Sequence, residues 1–199
     1  MLQTCKILKS INQFYNKELA RLQSLSKGVE TRRIARLTRK RNNKVDDFMH
    51  KSSRYVIDYC IENNIDTIVL GYNQGWKQDL LDSRKKSAKY NQKFGQIPFY
   101  KFKQMLDYKA RDAGIKLIIT EESYTSGTSF LDYERPVRGS YNKSRRIHRG
   151  LFKSNQGHLI NADINASYQI AKKVLENIYE SIEGLAISPV RVNPNKEAI

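Results

Sequence analysis

Asp66-Thr67-Ile68-Val69-Leu70-Gly71 is the stretch on which the fold turns. A short apolar, β-branched run closed by a glycine reads as a buried strand. Ile115-Lys116-Leu117-Ile118-Ile119 has the same character. Between them Pro98 opens a helical pattern of Phe99, Phe102, Met105, Leu106 and Ala110, which reaches about Ala113 and is closed by Gly114. Proline is favoured in a first helical turn and glycine just past a helix end. Strand, helix, strand at this spacing is a βαβ unit. The fold class is therefore α/β, with the two strands parallel and a right-handed crossover between them.

N-terminal to this unit the chain is helical. Ile11, Phe14, Tyr15, Leu19, Leu22 and Leu25 recur at three and four over 10–25, and Lys27-Gly28 is a stop. A longer helix over 31–63 carries Ile34, Leu37, Val45, Phe48, Tyr55, Val56 and Tyr59 on its apolar face. The two form a basic helical hairpin. The outer face of the second helix carries Arg32, Arg33, Arg36, Arg39, Lys40, Arg41, Lys44, Lys51 and Arg54. Only Asp46 and Asp47 oppose them over 31–54. A face that serves solubility alone mixes its signs, so this imbalance favours contact with phosphates.

Composition points the same way. Across 199 residues, 36 Lys and Arg against 20 Asp and Glu give a net charge of +16, and the isoelectric point is near 9.8. Such a balance implies a polyanionic partner, most often nucleic acid. A membrane surface is a poorer fit, because no basic helix presents a large apolar face with Trp or Phe anchors. No run approaches the ~20 apolar residues of a membrane span. Cys5 and Cys60 are the only cysteines; they form neither a disulfide framework nor a zinc site, and suggest a reducing, cytoplasmic setting.

C-terminal to the unit, residues 124–158 are basic and without clear periodicity. Arg149-Gly150-Leu151-Phe152-Lys153-Ser154 leads into Asn161-Ala162-Asp163-Ile164-Asn165-Ala166-Ser167-Tyr168, where a helix runs on to about Glu180. Asp163 reads either as the cap of that helix, a position Asp favours, or as a metal-binding carboxylate; magnesium takes one or two carboxylates plus substrate phosphate. Glu121 and Glu122 directly follow the second strand, at the carboxyl end where ligands gather in α/β sheets. They read either as solvent-exposed loop acids or as partners of Asp163 in a two-metal phosphodiesterase site. The 83–93 segment reads as a flexible loop, and Trp76 as a core residue before a stacking one.

Five blocks in order carry a resemblance: Gly71-Tyr72-Asn73-Gln74-Gly75-Trp76-Lys77-Gln78, Phe94-Gly95-Gln96-Ile97-Pro98-Phe99, Glu121-Glu122-Ser123-Tyr124-Thr125-Ser126, Arg149-Gly150-Leu151-Phe152 and Asn161-Ala162-Asp163-Ile164-Asn165-Ala166-Ser167. Over roughly residues 7–173 the chain resembles the C-terminal half of TnpB/OrfB-type proteins, transposon-encoded relatives of compact type V CRISPR effectors. The resemblance implies a RuvC-like, ribonuclease-H-type endonuclease that is guided by RNA and cuts DNA with Mg2+ and three carboxylates. It implies DNA and a guide RNA as partners. It matches Asp163 to the last carboxylate. The second usually stands at position 71, which is glycine here, and some relatives supply it from a Glu-x-Tyr-Thr-Ser block. Glu122 fits that block and is preferred to Glu121.

Two departures qualify the match. The family's first aspartate lies on a strand upstream of the basic helices, and residues 1–17 contain no Asp or Glu. The two Cys-x-x-Cys pairs of the family's zinc ribbon are absent, so no zinc is expected. The expectation is an incomplete RuvC-like fold: a helical hairpin over 1–65, the C-terminal part of the nuclease domain over 66–182, and a disordered tail over 183–199. Glu122 and Asp163 are its candidate catalytic and metal-binding residues. Arg32, Arg33, Arg36, Arg39, Lys40, Arg41 and Lys44, with Arg145, Arg146, Arg149 and Lys153 from the basic segment, are its candidate nucleic-acid contacts. Such a protein is expected to be a truncated DNA-binding protein of a mobile element, impaired as a nuclease when alone; the alternative is a nuclease-dead nucleic-acid binder or repressor.

Overall fold

The computed structural model describes residues 5–73, 96–175, 177–179, 188–189 and 194. The stretch expected as a flexible loop over 83–93, and Trp76, lie outside the described residues, as does most of the expected disordered tail. The chain divides into two compact units. One is helical, built from α1 (Cys5–Leu25), α2 (Arg32–Glu62) and α3 (Phe99–Asp112). The other holds β1 (Thr67–Gly71), β2 (Lys116–Thr120), β3 (Leu151–Lys153), β4 (Leu159–Asn161) and α4 (Ala162–Lys172).

In the helical unit α1 stops where Lys27 and Gly28 both take left-handed backbone, φ 51° and 83°. Thr31 then caps α2, its hydroxyl accepting from the Ile34 amide at 3.3 Å. At 31 residues α2 is about 46 Å long. It packs against both α1 and α3, so α3 groups with the helices that precede it. Leu8, Val45, Phe48, Met49, Ile97 and Met105 form the shared core. Polar ties hold the same three elements. Arg41 donates to Asn12 Oδ1 at 2.9 Å and to the Gln96 carbonyl at 3.3 Å, and lies over the Tyr15 ring. Lys109 on α3 donates to the His50 carbonyl and to Ser53 Oγ on α2, both at 2.8 Å.

In the sheet unit β1 and β2 pair in parallel, Thr67 opposite Lys116 through Gly71 opposite Thr120. The expectation of strands buried on both faces needs correction. β1 is only partly buried, and Ile119 on β2 is 42% exposed, because α4 is the one described helix that packs against β1. The segment expected to lack pattern holds two 3-10 turns, Arg138–Ser140 and Lys143–Arg145, and an antiparallel hairpin of β3 and β4. Strands of three residues are too short to show alternation in sequence. Phe152 and Ile160 from this hairpin are fully buried with Ala162, and Leu131, Ile164 and Tyr168 pack on them. α4 ends at Lys172, well short of the expected Glu180. Beyond it Tyr179 folds back to stack on Phe130 and lean on Tyr133, its hydroxyl donating to the Phe130 carbonyl at 3.1 Å.

Candidate functional site

Asp163 sits in the first turn of α4, and the cap is a different residue. Asn161 accepts from the amides of Asp163 and Ile164 at 2.9 and 3.2 Å. Asn165, fully buried, accepts from the Phe130 amide and donates to the Thr128 carbonyl, stapling α4 to the 128–130 loop. Both asparagines of the Asn-Ala-Asp-Ile-Asn block thus have structural work. The Asp163 carboxylate is left without a capping role, and its side chain is 47% exposed. Its nearest charged partner is Arg146, at 3.8 Å.

Glu122 approaches from the other side of the unit. It follows β2, and its amide donates to Asn73 Oδ1 at 3.0 Å, which ties the turn after β2 to the end of β1. Its side chain lies against Gly71. A Cβ at position 71 would fall 2.7 Å from Glu122 Cγ, 2.8 Å from Ile170 Cδ1 and 2.9 Å from Glu122 Oε1. Any side chain there would collide with the carboxylate and with α4. Glycine at 71 is therefore what admits Glu122 to the carboxyl end of β1. Glu121 differs: its side chain is 68% exposed and meets only Lys173. That geometry separates two acids that spacing alone leaves equal.

Lys173, at the C-terminal end of α4, donates to the Glu121 and Ser123 carbonyls at 3.1 and 2.8 Å. It straps the Glu121–Ser123 turn to the helix and stands near the Glu122 carboxyl. Burial pushes the Glu122 carboxyl above the usual carboxylate range, and the Lys173 charge opposes that only in part. A raised folded pKa means that the folded state holds its proton more tightly than the unfolded chain. Stability is then lost as pH rises from the ordinary value of 4.5 through the folded value. Glu122→Gln is accordingly expected to raise the melting temperature at pH 7, with the gain vanishing below pH ~4. A melting temperature lowered at pH 7 would mean that the Lys173 attraction dominates instead.

The predicted cations divide into two groups. Arg32, Arg33, Arg36, Arg39, Lys40 and Lys44 are exposed on α2. Arg36, Arg39, Lys40 and Lys44 line one groove with Asn43 and Asp47. Asp46 is paired with Lys101 at 2.6 Å and Asp47 with Lys51 at 3.0 Å. Those four cations are left without an ion pair among the described residues. Arg41 belongs elsewhere: its donors serve Asn12, Asn42 and Gln96, so it is a tie within the helical unit. Arg145 is likewise internal. It pairs with Glu134 at 2.5 Å, the two side chains only 15% and 17% exposed. Glu134 also accepts from the Ser129 amide and from Asn155 Nδ2. Burial raises its pKa, but the hydrogen bonds from Arg145 and Ser129 outweigh that and hold it below the usual range. This hub orders the basic segment. Arg146, Arg149 and Lys153 remain exposed around it.

Glu122 and Asp163 are hard oxygen donors of the kind magnesium prefers, and two carboxylates suffice for one ion completed by substrate phosphate and water. Among the described residues no group of three or more His, Cys, Asp or Glu is placed to hold an ion. Glu122 meets α4 at Ile170, two turns along the same face from Asp163. Asn73, Lys173 and Arg146 are the residues that sequence reasoning missed. Each acts through a long-range contact that no local spacing reveals.

With this geometry, the chain is a relative of the TnpB and Cas12f-like RNA-guided nucleases. A family described as probable transposase (OrfB_IS605) matches residues 2–77, and the Cas12f1-like TNB domain matches residues 99–170. A CRISPR-associated endodeoxyribonuclease Cas12f1 from Sulfoacidibacillus thermotolerans is 31% identical over 152 residues, covering 75% of this chain. The chain spans about a third of that relative, 32% of its length. A cryo-EM structure of a Cas12f1-sgRNA-target DNA complex shares the fold, with a TM-score of 0.58 at 22% identity over 81% of this chain and 42% of that one. No helix among the described residues is long and apolar enough to cross a membrane.

Proposed function

We propose that this chain is a DNA-binding protein of a mobile element that carries the C-terminal carboxylates of a RuvC-like nuclease centre. The observation that carries the reading is the seating of Glu122 over Gly71. The sheet end where the family usually places its second carboxylate has none of its own here, and a neighbouring turn delivers one into the space that glycine leaves. Asp163, relieved of capping by Asn161, supplies the other. Glu122 and Asp163 would hold Mg2+. When bound, the ion supplies charge stabilisation at a phosphodiester and a more acidic water. This chain's own residues do the rest. Exposed cations on α2 bind the phosphate backbone, while Lys173 and Asn73 fix the turn that orients Glu122. DNA and a guide RNA are the partners this reading assigns, supported by the relative's description as an endodeoxyribonuclease and by the sgRNA and target DNA in the complex that shares the fold.

Two carboxylates organise one ion better than two, so cleavage by this chain alone is expected to be slow. A specific observation favours the second reading, a nucleic-acid binder or repressor without cleavage. Arg146 stands against Asp163 and Lys173 near Glu122, and both cations oppose a metal at those carboxylates. Plasmid and single-strand cleavage with magnesium, compared between wild type and Asp163→Ala, tests the nuclease reading. Cleavage should disappear in the variant while binding stays; equal cleavage by the variant removes Asp163 from the site.

A further inference from the structure

Two tyrosines of the sheet unit are held out in solvent on a rigid support. Tyr124 is 41% exposed and Tyr141 39%, and their rings meet edge to face at 6.0 Å and 73°. Tyr124 takes left-handed backbone, φ 64°, a conformation that strains a bulky residue and that Asn or Gly would adopt more easily. Its turn is locked on both sides. The Thr125 hydroxyl donates to the Glu122 carbonyl and the Thr128 hydroxyl to the Tyr124 carbonyl, each at 2.8 Å, from buried positions.

Tyr141 is fixed by a different device. Its ring lies flat on Gly127, where a Cβ would come within 2.5 Å of the ring carbons, and the following amide, Asn142, donates to the Gly127 carbonyl at 2.9 Å. Glycine at 127 is thus the seat of the ring. A strained backbone, a cleared seat and two exposed faces serve no core. The core of this unit is built from Phe130, Phe152 and Ile160. Exposed Arg138 and Lys143 flank Tyr141 in the chain, and Tyr124 follows Glu122 by two residues.

We infer that Tyr124 and Tyr141 form a stacking platform for an unpaired base of a single-stranded nucleic acid, placing that strand beside Glu122. This rests on the nucleic-acid reading above and names the form of strand that the carboxylate end of the sheet receives. A duplex keeps its bases stacked on one another and offers no free face to such a platform. An unpaired base offers one whatever its identity, and cations nearby take the phosphates.

The test uses the whole chain with a DNA strand and an RNA strand of one sequence, each carrying 2-aminopurine, and with the matching DNA duplex. Wild type should quench the probe in single strands and leave it unchanged in the duplex. The double variant Tyr124→Leu/Tyr141→Leu should lose the quenching and bind single strands about tenfold more weakly, with duplex affinity unchanged. Tyr124→Phe/Tyr141→Phe should restore both. Equal quenching of DNA and RNA supports stacking alone, and a preference for one of them names the strand the platform takes. A leucine variant that quenches and binds as wild type does, or that loses duplex binding equally, overturns the platform, as does failure of the phenylalanine variant to restore it. If salt-dependent duplex binding persists in that case, the platform fails and the nucleic-acid reading stands. Absence of salt-dependent binding to any strand sinks both.

Discussion

Reversing the charge of Arg36, Arg39 and Lys40 together is expected to weaken nucleic-acid binding and to lower the salt slope by about 3. The slope follows from counterion release, roughly 0.9 for each phosphate that a cation neutralises. The affinity gap between wild type and variant should therefore shrink by about fortyfold between roughly 50 and 200 mM salt. Those three side chains are available for the purpose. They stand on one groove of α2 with Lys44, and the two acids of that stretch are already neutralised by Lys101 and Lys51. Fold is not at stake, since all three are exposed and the α2 core runs through Val45, Phe48 and Met49. Reversal at Arg41 would be a poor test, because that residue knits α1, α2 and the start of α3. An unchanged salt slope in the triple variant would remove α2 from the nucleic-acid interface.

The second large effect concerns the carboxylates. Asp163→Ala removes one of two hard donors. Loss of a residue that merely orients a ligand typically costs 10- to 100-fold in metal affinity, so loss of the ligand itself should cost at least about tenfold. The fold should survive. The helix keeps its Asn161 cap, and its anchors to the rest of the unit are Asn165 and Gln169, both fully buried. Arg146 loses only an exposed partner at 3.8 Å, and such pairs contribute little. Glu122→Gln is the complementary change. It keeps the shape that fills the space over Gly71 and removes the charge.

Much of this architecture is legible in the sequence, for identifiable reasons. α1, α2 and α3 carry long apolar stripes, and β1 and β2 are short apolar runs bounded by turn residues, so period and length agree. Thr31, Lys27 and Gly28 announce their roles as cap and stop, and the structure gives them those roles. What stays hidden depends on distance along the chain. The hairpin of β3 and β4 has three residues per strand, too few for alternation to register. The basic segment looks patternless because its order comes from the buried pair Glu134 and Arg145 and from Asn165, which is supplied by a helix some 35 residues away. Sequence alone leaves Asp163 between cap and ligand, and Glu121 equal to Glu122. Both choices are decided by side-chain placement, the Asn161 cap in one case and the seat on Gly71 in the other. Charge counting also overstates the interface, since an arginine read as a phosphate contact can equally be a packing tie, as Arg41 and Arg145 are.

Whether Glu122 and Asp163 share a metal decides between a nuclease centre and a pair of structural acids. The most direct measurement is the binding of Mn2+, as a paramagnetic stand-in for Mg2+, followed by electron paramagnetic resonance on the whole chain with a single-stranded oligonucleotide present. Wild type should bind the ion saturably and release it to excess Mg2+, and Asp163→Ala and Glu122→Gln should each weaken binding by about tenfold or more. Wild-type affinity in both variants would contradict the shared metal and leave the two carboxylates as structural acids of a nucleic-acid-binding protein.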